Sequence, residues 1–201
     1  MKILLTGFDP FGGETINPSW EAVCRTSAPE GVELVKLQVP TVFGTSVEVV
    51  AEAVRREKPD AVVCVGQAGG RTAVTPERVA VNCMDASIGD NRGFIPKDVP
   101  VREGGPDGLL STLPVKAMVE AVCRAGVPCQ LSNTAGTFVC NQLMYGVLLL
   151  CREEFPDTGA GFIHLPFLPQ QTARKPGYAS MSLGDMVTAL EAALGAIRDH
   201  N

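Results

Sequence analysis

The chain has 201 residues, of which 45% are hydrophobic, and this fits one folded domain with a sizeable core over residues 1–201. The formal net charge is -5 and no basic stripe is present to neutralise phosphates, so we expect no nucleic-acid partner. No apolar run approaches the roughly 20 residues of a membrane span, and the N-terminus has no signal-peptide pattern. We therefore expect a soluble, cytoplasmic protein without a membrane partner, whose ligand is a small molecule or another protein.

Strand and helix patterns alternate along the first third of the chain. In order, the patterns predict a strand at 2–8, a helix that begins at Pro18 with Asn17 as its N-cap, a strand at 33–40, a helix within 43–58 and a buried strand at 61–66. Turn residues such as those in "GQAGG" separate these segments.

The alternation continues to the end of the chain. The patterns predict a short β-branched strand at 79–83, a long loop rich in Gly, Pro and Asp at 86–108, a helix at 115–125, a strand at 128–134, a helix at 141–155, a strand at 159–166 and a last helix that begins at the capping box 182–185. Strands separated by helices predict βαβ units. We therefore predict an α/β fold, a three-layer αβα sandwich around a twisted, mixed and mostly parallel sheet.

The cysteine and histidine content limits the kinds of site. Seven cysteines stand at positions 24, 64, 83, 123, 129, 140 and 151, an odd number without a C-x-x-C pair. This pattern fits neither a secreted disulfide framework nor a thioredoxin-type redox site, so most of these thiols are predicted to be small core residues. The only histidines are His164 and His200, which leaves a zinc site almost without ligands, and we expect no metal.

Four loops are candidates for a binding site, because ligands of open α/β sheets bind beyond the carboxyl ends of the strands. They are "TGFDPFGGE", "VGQAGGR", "SNTAGTFVC" and "FIHLP". Each is predicted to follow a strand, and each contains Gly, Pro or small polar residues.

Cys140 and His164 are the candidates for catalysis. Cys140 stands where the helix 141–155 is predicted to begin, and a helix N-terminus stabilises a thiolate and can hold an oxyanion. A buried structural thiol remains the alternative. His164 ends the strand that follows this helix, so a βαβ unit brings both residues to one edge of the sheet, where they would form an activated nucleophile. The alternative for His164 is a hydrogen-bonded core histidine.

A carboxylate should orient the imidazole, and the candidate loops contain several acids. They are Asp9, Glu14, Glu77, Asp85 and Asp90. Most acids on such loops are solvated surface groups, and spacing alone does not choose among these five.

Three long segments resemble one family. "LLTGFDPFGGETINPSW", "VGQAGGRTAVTPERVAVN" and "SNTAGTFVCNQLMYG" are similar to the signature segments of pyroglutamyl peptidase I, the pyrrolidone-carboxylate cysteine peptidases, and the similarity covers essentially the whole chain. The resemblance implies Cys140 as nucleophile, His164 as base and Glu77 as the acid that orients it. It also implies removal of an N-terminal pyroglutamyl residue from peptides through a thioester, with no cofactor, by a homo-oligomer, a dimer or a tetramer.

A pyroglutamyl group is a flat, neutral lactam, so it needs an apolar slot and a few hydrogen bonds. The plausible slot walls, with support from the resemblance, are Phe8, Phe11, Ile88, Phe138 and Val139, and the plausible polar anchors are Asn17 and Gln67. The alternatives are core packing for the apolar residues, a helix cap for Asn17 and a turn position for Gln67.

A different class of function starts from "VGQAGGR", which follows a buried strand. It could cradle a phosphate or nucleotide, in a binding module or a nucleoside-phosphorylase-like enzyme whose cysteines are structural. The signal is weak, because the sequence has no Walker A pattern and no full G-x-G-x-x-G opening a helix.

Overall fold

A computed structural model describes residues 1–200 of the chain. Its strands are β1 (Lys2–Phe8), β2 (Glu33–Val39), β3 (Ala61–Gln67), β4 (Thr75–Glu77), β5 (Val79–Val81), β6 (Gly108–Leu110) and β7 (Gly159–Leu165). Five of them form a sheet in the order β2-β1-β3-β7-β4, in which only β4 is antiparallel to its neighbour. The remaining two, β5 and β6, form a small antiparallel sheet of their own.

Six helices connect these strands. They are α1 (Pro18–Arg25), α2 (Thr45–Glu57), α3 (Val115–Arg124), α4 (Val139–Glu154), α5 (Pro169–Thr172) and α6 (Leu183–Arg198). The predicted start of α1 is confirmed, since the side chain of Asn17 accepts a hydrogen bond from the N–H of Ser19 and Pro18 occupies the first turn. Within residues 1–200, no helix has both the length and the apolar content that crossing a membrane requires.

Two hydrophobic clusters pack on opposite faces of the main sheet. Alternate residues of β1 separate between them: Leu5 lies in the cluster with α1, α3 and α6, and Leu4 lies in the cluster with α2 and α4. Each large apolar side chain buried in this way contributes about 1.5–3 kcal/mol. The predicted three-layer αβα sandwich with a mixed, mostly parallel sheet is therefore confirmed.

The predicted strand at 128–134 is wrong. The edge of the sheet beside β7 is occupied by the short antiparallel strand β4, which sequence patterns did not predict. Residues 128–134 lie alongside β4 and make only two isolated bridges, Val74 with Cys129 and Glu77 with Ser132. The two bridges share one parallel register, but Pro76 has no N–H to donate to the carbonyl of Gln130, and this interrupts the ladder between them.

Three further expectations change. Helix α4 begins at Val139 rather than 141, which puts Cys140 inside its first turn. The 79–83 segment forms β5, outside the main sheet. The thiols divide: Cys64 and Cys151 are buried in the core and the half-buried Cys129 and Cys140 pack against it, whereas Cys83 is half-buried outside it and Cys24 and Cys123 are exposed.

The long loop predicted at 86–108 is part of a folded excursion, residues 82–107, between β5 and β6. Met84 pairs with Val99, and the turn at its tip is closed by Asp90, whose carboxylate accepts the N–H groups of Arg92 and Phe94. The same carboxylate accepts the N–H of Phe43, 3.0 Å away, from the loop after β2. The tip of the excursion is therefore hydrogen-bonded to the loop after β2.

Candidate active site

One cavity of about 230 Å³ lies beyond the carboxyl ends of β1, β3 and β7. Its lining consists of Phe8, Phe11, Asn17, Thr41, Gln67, Ala68, Arg71, Thr134, Ala135, Gly136, Phe138, Cys140 and His164. All four loops predicted to form the site contribute to it, and the loop after β2 adds Thr41. A larger cavity of about 490 Å³ between α2 and α4 is lined by neither cysteine nor histidine, so it has no nucleophile of this kind.

Cys140 occupies the first turn of α4, with its sulfur against β3. A Cβ added to Gly66 would lie 2.9 Å from the sulfur and 2.7 Å from Cζ of Phe162, so only glycine leaves room there. The first helical hydrogen bond of α4 runs from the N–H of Gln142 to the carbonyl of Phe138. The N–H of Cys140 therefore has no carbonyl partner within the helix.

Burial raises the pKa of Cys140 to about 12, with the negative charge of Glu77 acting in the same direction and the charge of Arg71 against it. The resting sulfur is therefore a thiol. The helix N-terminus considered in the sequence analysis lowers the pKa of a thiol, whereas the burial seen in the fold raises it.

His164 lies near the end of β7, opposite Gly66 of β3 and Thr75 of β4. It is 3% exposed, and its Nδ1 lies 2.7 Å from Oε1 of Glu77. Burial lowers the pKa of His164 below its ordinary value, although the hydrogen bond and charge of Glu77 act in the opposite direction. Because an ionised carboxylate only accepts hydrogen bonds, Nδ1 carries the proton and Nε2 is left as the basic nitrogen.

Glu77 is fully buried on β4. Burial by itself would raise the pKa of Glu77, but the hydrogen bond and charge of His164, with smaller contributions from Ser132 and Arg71, hold the pKa below its ordinary value. The antiparallel pairing of β4 with β7 puts Thr75 opposite His164 and Glu77 opposite Phe162, on one face of the sheet edge. This strand is what brings the carboxylate to the imidazole.

Three of the five predicted slot walls line the cavity. Phe8 is 2% exposed, and the rings of Phe11 and Phe138 lie 5.9 Å apart. Ile88 and Val139 are not among the lining residues. Ile88 is 47% exposed and lies near Gly12, on the rim side of Phe11. Val139 is fully buried in the cluster with α2 and α4, because neighbouring helical positions point about 100° apart and Cys140 takes the direction toward the cavity.

Both predicted polar anchors line the cavity, but they differ in what their amides have free. Asn17 accepts from the N–H and the hydroxyl of Ser19 and donates to the carbonyl of Asp9, so its cap role uses most of its amide. Gln67 accepts from the amide of Gln171, 2.9 Å away, whose own oxygen accepts the N–H of Leu168. This chain of bonds fixes the carbonyl of Gln67 and leaves its NH₂ as the available donor.

Arg71 is a site residue that sequence reasoning missed. Its guanidinium bonds to Oε1 of Glu77 at 2.5 Å, to the hydroxyl of Thr75, and to the carbonyl of Thr134 at 3.0 Å. The signal was present, since Arg71 is the one charged residue of "VGQAGGR". Gln171, which reaches the cavity residue Gln67 and has no motif of its own, was missed as well.

The remaining acids and the second histidine have other contacts. Asp9 accepts the N–H of Thr41, Glu14 pairs with Lys175, Asp85 lies 3.9 Å from Lys97, Asp90 closes the excursion, and the ring of His200 lies 2.8 Å from the carbonyl of Ala196. None of them lines the cavity. The "VGQAGGR" loop leads into β4 rather than into a helix, so it lacks the helix N-terminus on which a phosphate cradle depends.

An α/β fold that places a thiol and an imidazole on one cavity, with a buried carboxylate hydrogen-bonded to the imidazole, has the parts of a cysteine-type hydrolase. The sequence model described as pyroglutamyl peptidase matches residues 1–200, so the chain belongs to the pyroglutamyl peptidase family. This membership does not favour the phosphate-binding alternative.

Relatives with known names agree with this assignment. The chain is 54% identical to the pyrrolidone-carboxylate peptidase of Streptococcus suis, covering 100% of this chain and 94% of the relative. It is also 54% identical to the pyrrolidone-carboxylate peptidase of Lactobacillus johnsonii, over 98% of this chain and 92% of the relative.

Solved structures share the fold over nearly the whole chain. Pyroglutamyl peptidase I from Bacillus amyloliquefaciens superposes with a TM-score of 0.95 at 48% identity, covering 98% of this chain and 94% of that one. A variant of the pyrrolidone carboxyl peptidase from Pyrococcus furiosus gives a TM-score of 0.94 at 36% identity, covering 100% and 99%.

Proposed function

We propose that this protein removes the N-terminal pyroglutamyl residue from peptides, with Cys140 as nucleophile, His164 as general base and acid, and Glu77 as the group that orients the imidazole. The observation that carries the proposal is the 2.7 Å contact between Glu77 Oε1 and Nδ1 of His164, the imidazole that lines the same cavity as Cys140. Family membership supports the same assignment.

The reaction begins from a neutral pair, because burial raises the pKa of the Cys140 thiol and lowers the pKa of His164. Nε2 of His164 takes the thiol proton as the sulfur attacks the pyroglutamyl carbonyl outside the ring. The imidazolium that forms is stabilised by Glu77, which holds the proton on Nδ1. The N–H of Cys140, which has no carbonyl partner in the helix, donates to the oxyanion in this proposal.

The intermediate collapses when the bond between the carbonyl carbon and the peptide nitrogen breaks. His164 gives its Nε2 proton to the departing amine, which leaves a thioester on Cys140. Water then attacks the thioester as His164 takes its proton, and the proton returns to the sulfur when pyroglutamate leaves.

The cavity matches a neutral lactam. Its volume of about 230 Å³ suits a single small residue, and Phe8, Phe11 and Phe138 provide apolar walls. In this proposal the NH₂ of Gln67, whose carbonyl is already bonded to Gln171, donates to the lactam carbonyl. Arg71 is the one ionised side chain that lines the cavity near Cys140 and His164. Its positive charge would repel the ammonium of an ordinary peptide N-terminus.

The location and assembly of the protein stay predictions. None of the seven cysteines forms a disulfide in the part of the chain that the structure describes, which fits a reducing compartment such as the cytoplasm. A homo-oligomer, dimer or tetramer, is expected from the family resemblance.

The test is turnover of a chromogenic pyroglutamyl amide by the wild type, by Cys140→Ser and by the exposed-thiol control Cys24→Ser. The prolyl amide, which lacks the ring carbonyl, serves as the substrate control. We expect turnover of the pyroglutamyl amide alone, lost in Cys140→Ser and kept in Cys24→Ser. Absence of wild-type turnover, or full turnover by Cys140→Ser, would contradict the proposal.

A further inference from the structure

Arg71 joins the carboxylate of the site to the loop that leads to the nucleophile. Its Nη1 donates to Oε1 of Glu77 at 2.5 Å, and its Nη2 donates to the carbonyl of Thr134 at 3.0 Å. Thr134 belongs to residues 132–138, the segment that runs directly into the first turn of α4. The side chain of Arg71 therefore links Glu77 to the segment that leads into Cys140.

Oε1 of Glu77 carries nearly all the contacts of this carboxylate. It accepts from both Arg71 and His164, while Oε2 is buried without a hydrogen-bond partner in residues 1–200. Glu77 is fully buried, whereas the side chain of Arg71 is 26% exposed and reaches it from the cavity. Without the guanidinium, Oε1 would accept from His164 alone, and the buried carboxylate would be free to rotate away from the imidazole.

We infer that Arg71 is a positioning residue of the proposed peptidase, which holds Glu77 toward His164 and fixes residues 132–138 beneath Cys140. The inference rests on the proposed function. Arg71 acts through its neighbours and needs no contact with the substrate to do so.

The charge of Arg71 acts on both reacting groups in the same direction. It lowers the pKa of the Cys140 thiol and it lowers the pKa of His164, in each case against the charge of Glu77. Loss of this one positive charge leaves Glu77 uncompensated, so both pKa values should rise together. A side chain that only filled space would move neither.

The experiment compares Arg71→Met with the matched control Arg78→Met, whose side chain is exposed on the same segment. We expect Arg71→Met to lower kcat/KM for the chromogenic pyroglutamyl amide by about 10- to 100-fold, the size typical when a group that orients an active-site side chain is removed. The acid limb of the pH profile, which reports the free enzyme's base, should move to higher pH. Arg78→Met should leave both unchanged.

A second readout does not need turnover. The pH dependence of Cys140 alkylation by iodoacetamide, followed by peptide mass spectrometry, should shift to higher pH in Arg71→Met. Arg71→Lys keeps the charge but has no planar fork to span Glu77 and Thr134, so it should keep the wild-type alkylation profile and still lose kcat. Failure of the wild type to cleave the amide would contradict the proposed function. The alkylation profiles would still show whether Arg71 acts on the Cys140 thiol.

A double-mutant cycle with Glu77→Gln separates positioning from general loss of structure. Because Arg71 also holds Thr134, the double variant should be worse than Glu77→Gln alone, but by much less than the loss that Arg71→Met shows on its own. The inference would be overturned if the two losses multiplied in the double variant. It would also be overturned if Arg71→Met, with an unchanged circular dichroism spectrum, showed no shift in the pH dependence of alkylation.

Discussion

The sulfur of Cys140 lies against Gly66, and a Cβ at that glycine would be 2.9 Å from it. Gly66 is the parallel-register partner of His164 across β3 and β7. Neighbouring strands lie about 4.8 Å apart, so packing the thiol on this glycine brings it one strand away from the imidazole. The residue that brings the proposed nucleophile and the proposed base together is therefore a glycine.

The first prediction follows from this contact. In Gly66→Ala the new methyl group must displace Cys140 or Phe162, and Phe162 is 1% exposed in the core. Because a misplacement of about 1 Å can cost 100-fold, we expect kcat/KM to fall by about that factor or more. Turnover of the pyroglutamyl amide by purified, folded protein is the measurement.

Gly195→Ala is the matched control. Gly195 lies inside α6, and no heavy atom lies within 4 Å of its added Cβ. Alanine forms helices more readily, so the free energy of unfolding should rise by about 0.5–1 kcal/mol without a change in activity. Near-native kinetics in Gly66→Ala would contradict the account of the site.

The second prediction concerns the charge of Glu77. Glu77→Gln keeps the shape but removes the negative charge that raises the pKa of His164. The acid limb of the kcat/KM profile should therefore move to lower pH, opposite to the shift expected for Arg71→Met. In serine triads the matching Asp-to-Asn change lowers kcat by about 10⁴, and we expect a loss of about 10²–10⁴ here. Glu52→Gln, on the exposed side of α2, is the control.

The third prediction concerns recognition of the lactam. Gln67→Leu removes the NH₂ donor that the bond from Gln171 leaves free. A lost bond to a buried acceptor costs about 1–3 kcal/mol, so KM for the pyroglutamyl amide should rise at least about fivefold, with a smaller change in kcat. Gln171→Leu should give a weaker effect in the same direction. If KM is unchanged in Gln67→Leu, the lactam is anchored elsewhere.

The fourth prediction concerns the excursion that Asp90 closes. Asp90→Ala removes acceptors for the N–H groups of Phe43, Arg92 and Phe94, and hydrogen bonds to a charged group contribute about 1.5–3 kcal/mol each. Water can replace the lost acceptor at the exposed Arg92 and Phe94, so we expect the free energy of unfolding at pH 7 to fall by about the value of one such bond, about 1.5–3 kcal/mol, measured by urea denaturation. The exposed Asp157→Ala is the control.

The pH dependence of this loss has a definite sign. The backbone N–H bonds outweigh burial and lower the pKa of Asp90 in the folded protein. Its contribution is therefore complete above the unfolded pKa of about 3.9 and disappears as pH falls through the lower folded value. The difference between wild type and Asp90→Ala should shrink in acid. A difference that stays constant would show that Asp90 acts without its charge.

Much of the fold could be predicted from local pattern. The buried strand β3 and the capped helix α1 have short-range signals, a run of apolar residues in one case and the Asn17-Pro18 pair in the other. The strand β4 could not, because Thr75–Glu77 is three residues long and its pairing with β7 is decided by a partner far along the chain. The strand wrongly predicted at 128–134 has the same cause, because whether this segment forms a ladder depends on its pairing with β4.

The site shows the same division. Cys140 and His164 could be proposed from their positions next to a helix start and a strand end, but Glu77 needed the family resemblance, since its strand was not predicted. The contacts of Arg71 and the displacement of Val139 into the core depend on side-chain directions that spacing does not encode. The raised pKa of Cys140 likewise depends on burial, which only the folded chain reveals.

The most direct test of the central claim is labelling with a pyroglutamyl chloromethyl ketone, because the seven thiols of the chain compete for it. After digestion, mass spectrometry identifies the modified cysteine. We predict label on Cys140 alone, blocked by free pyroglutamate and absent in His164→Ala. Label on an exposed thiol such as Cys24 or Cys123, with Cys140 unmodified, would contradict the assignment of Cys140 as nucleophile.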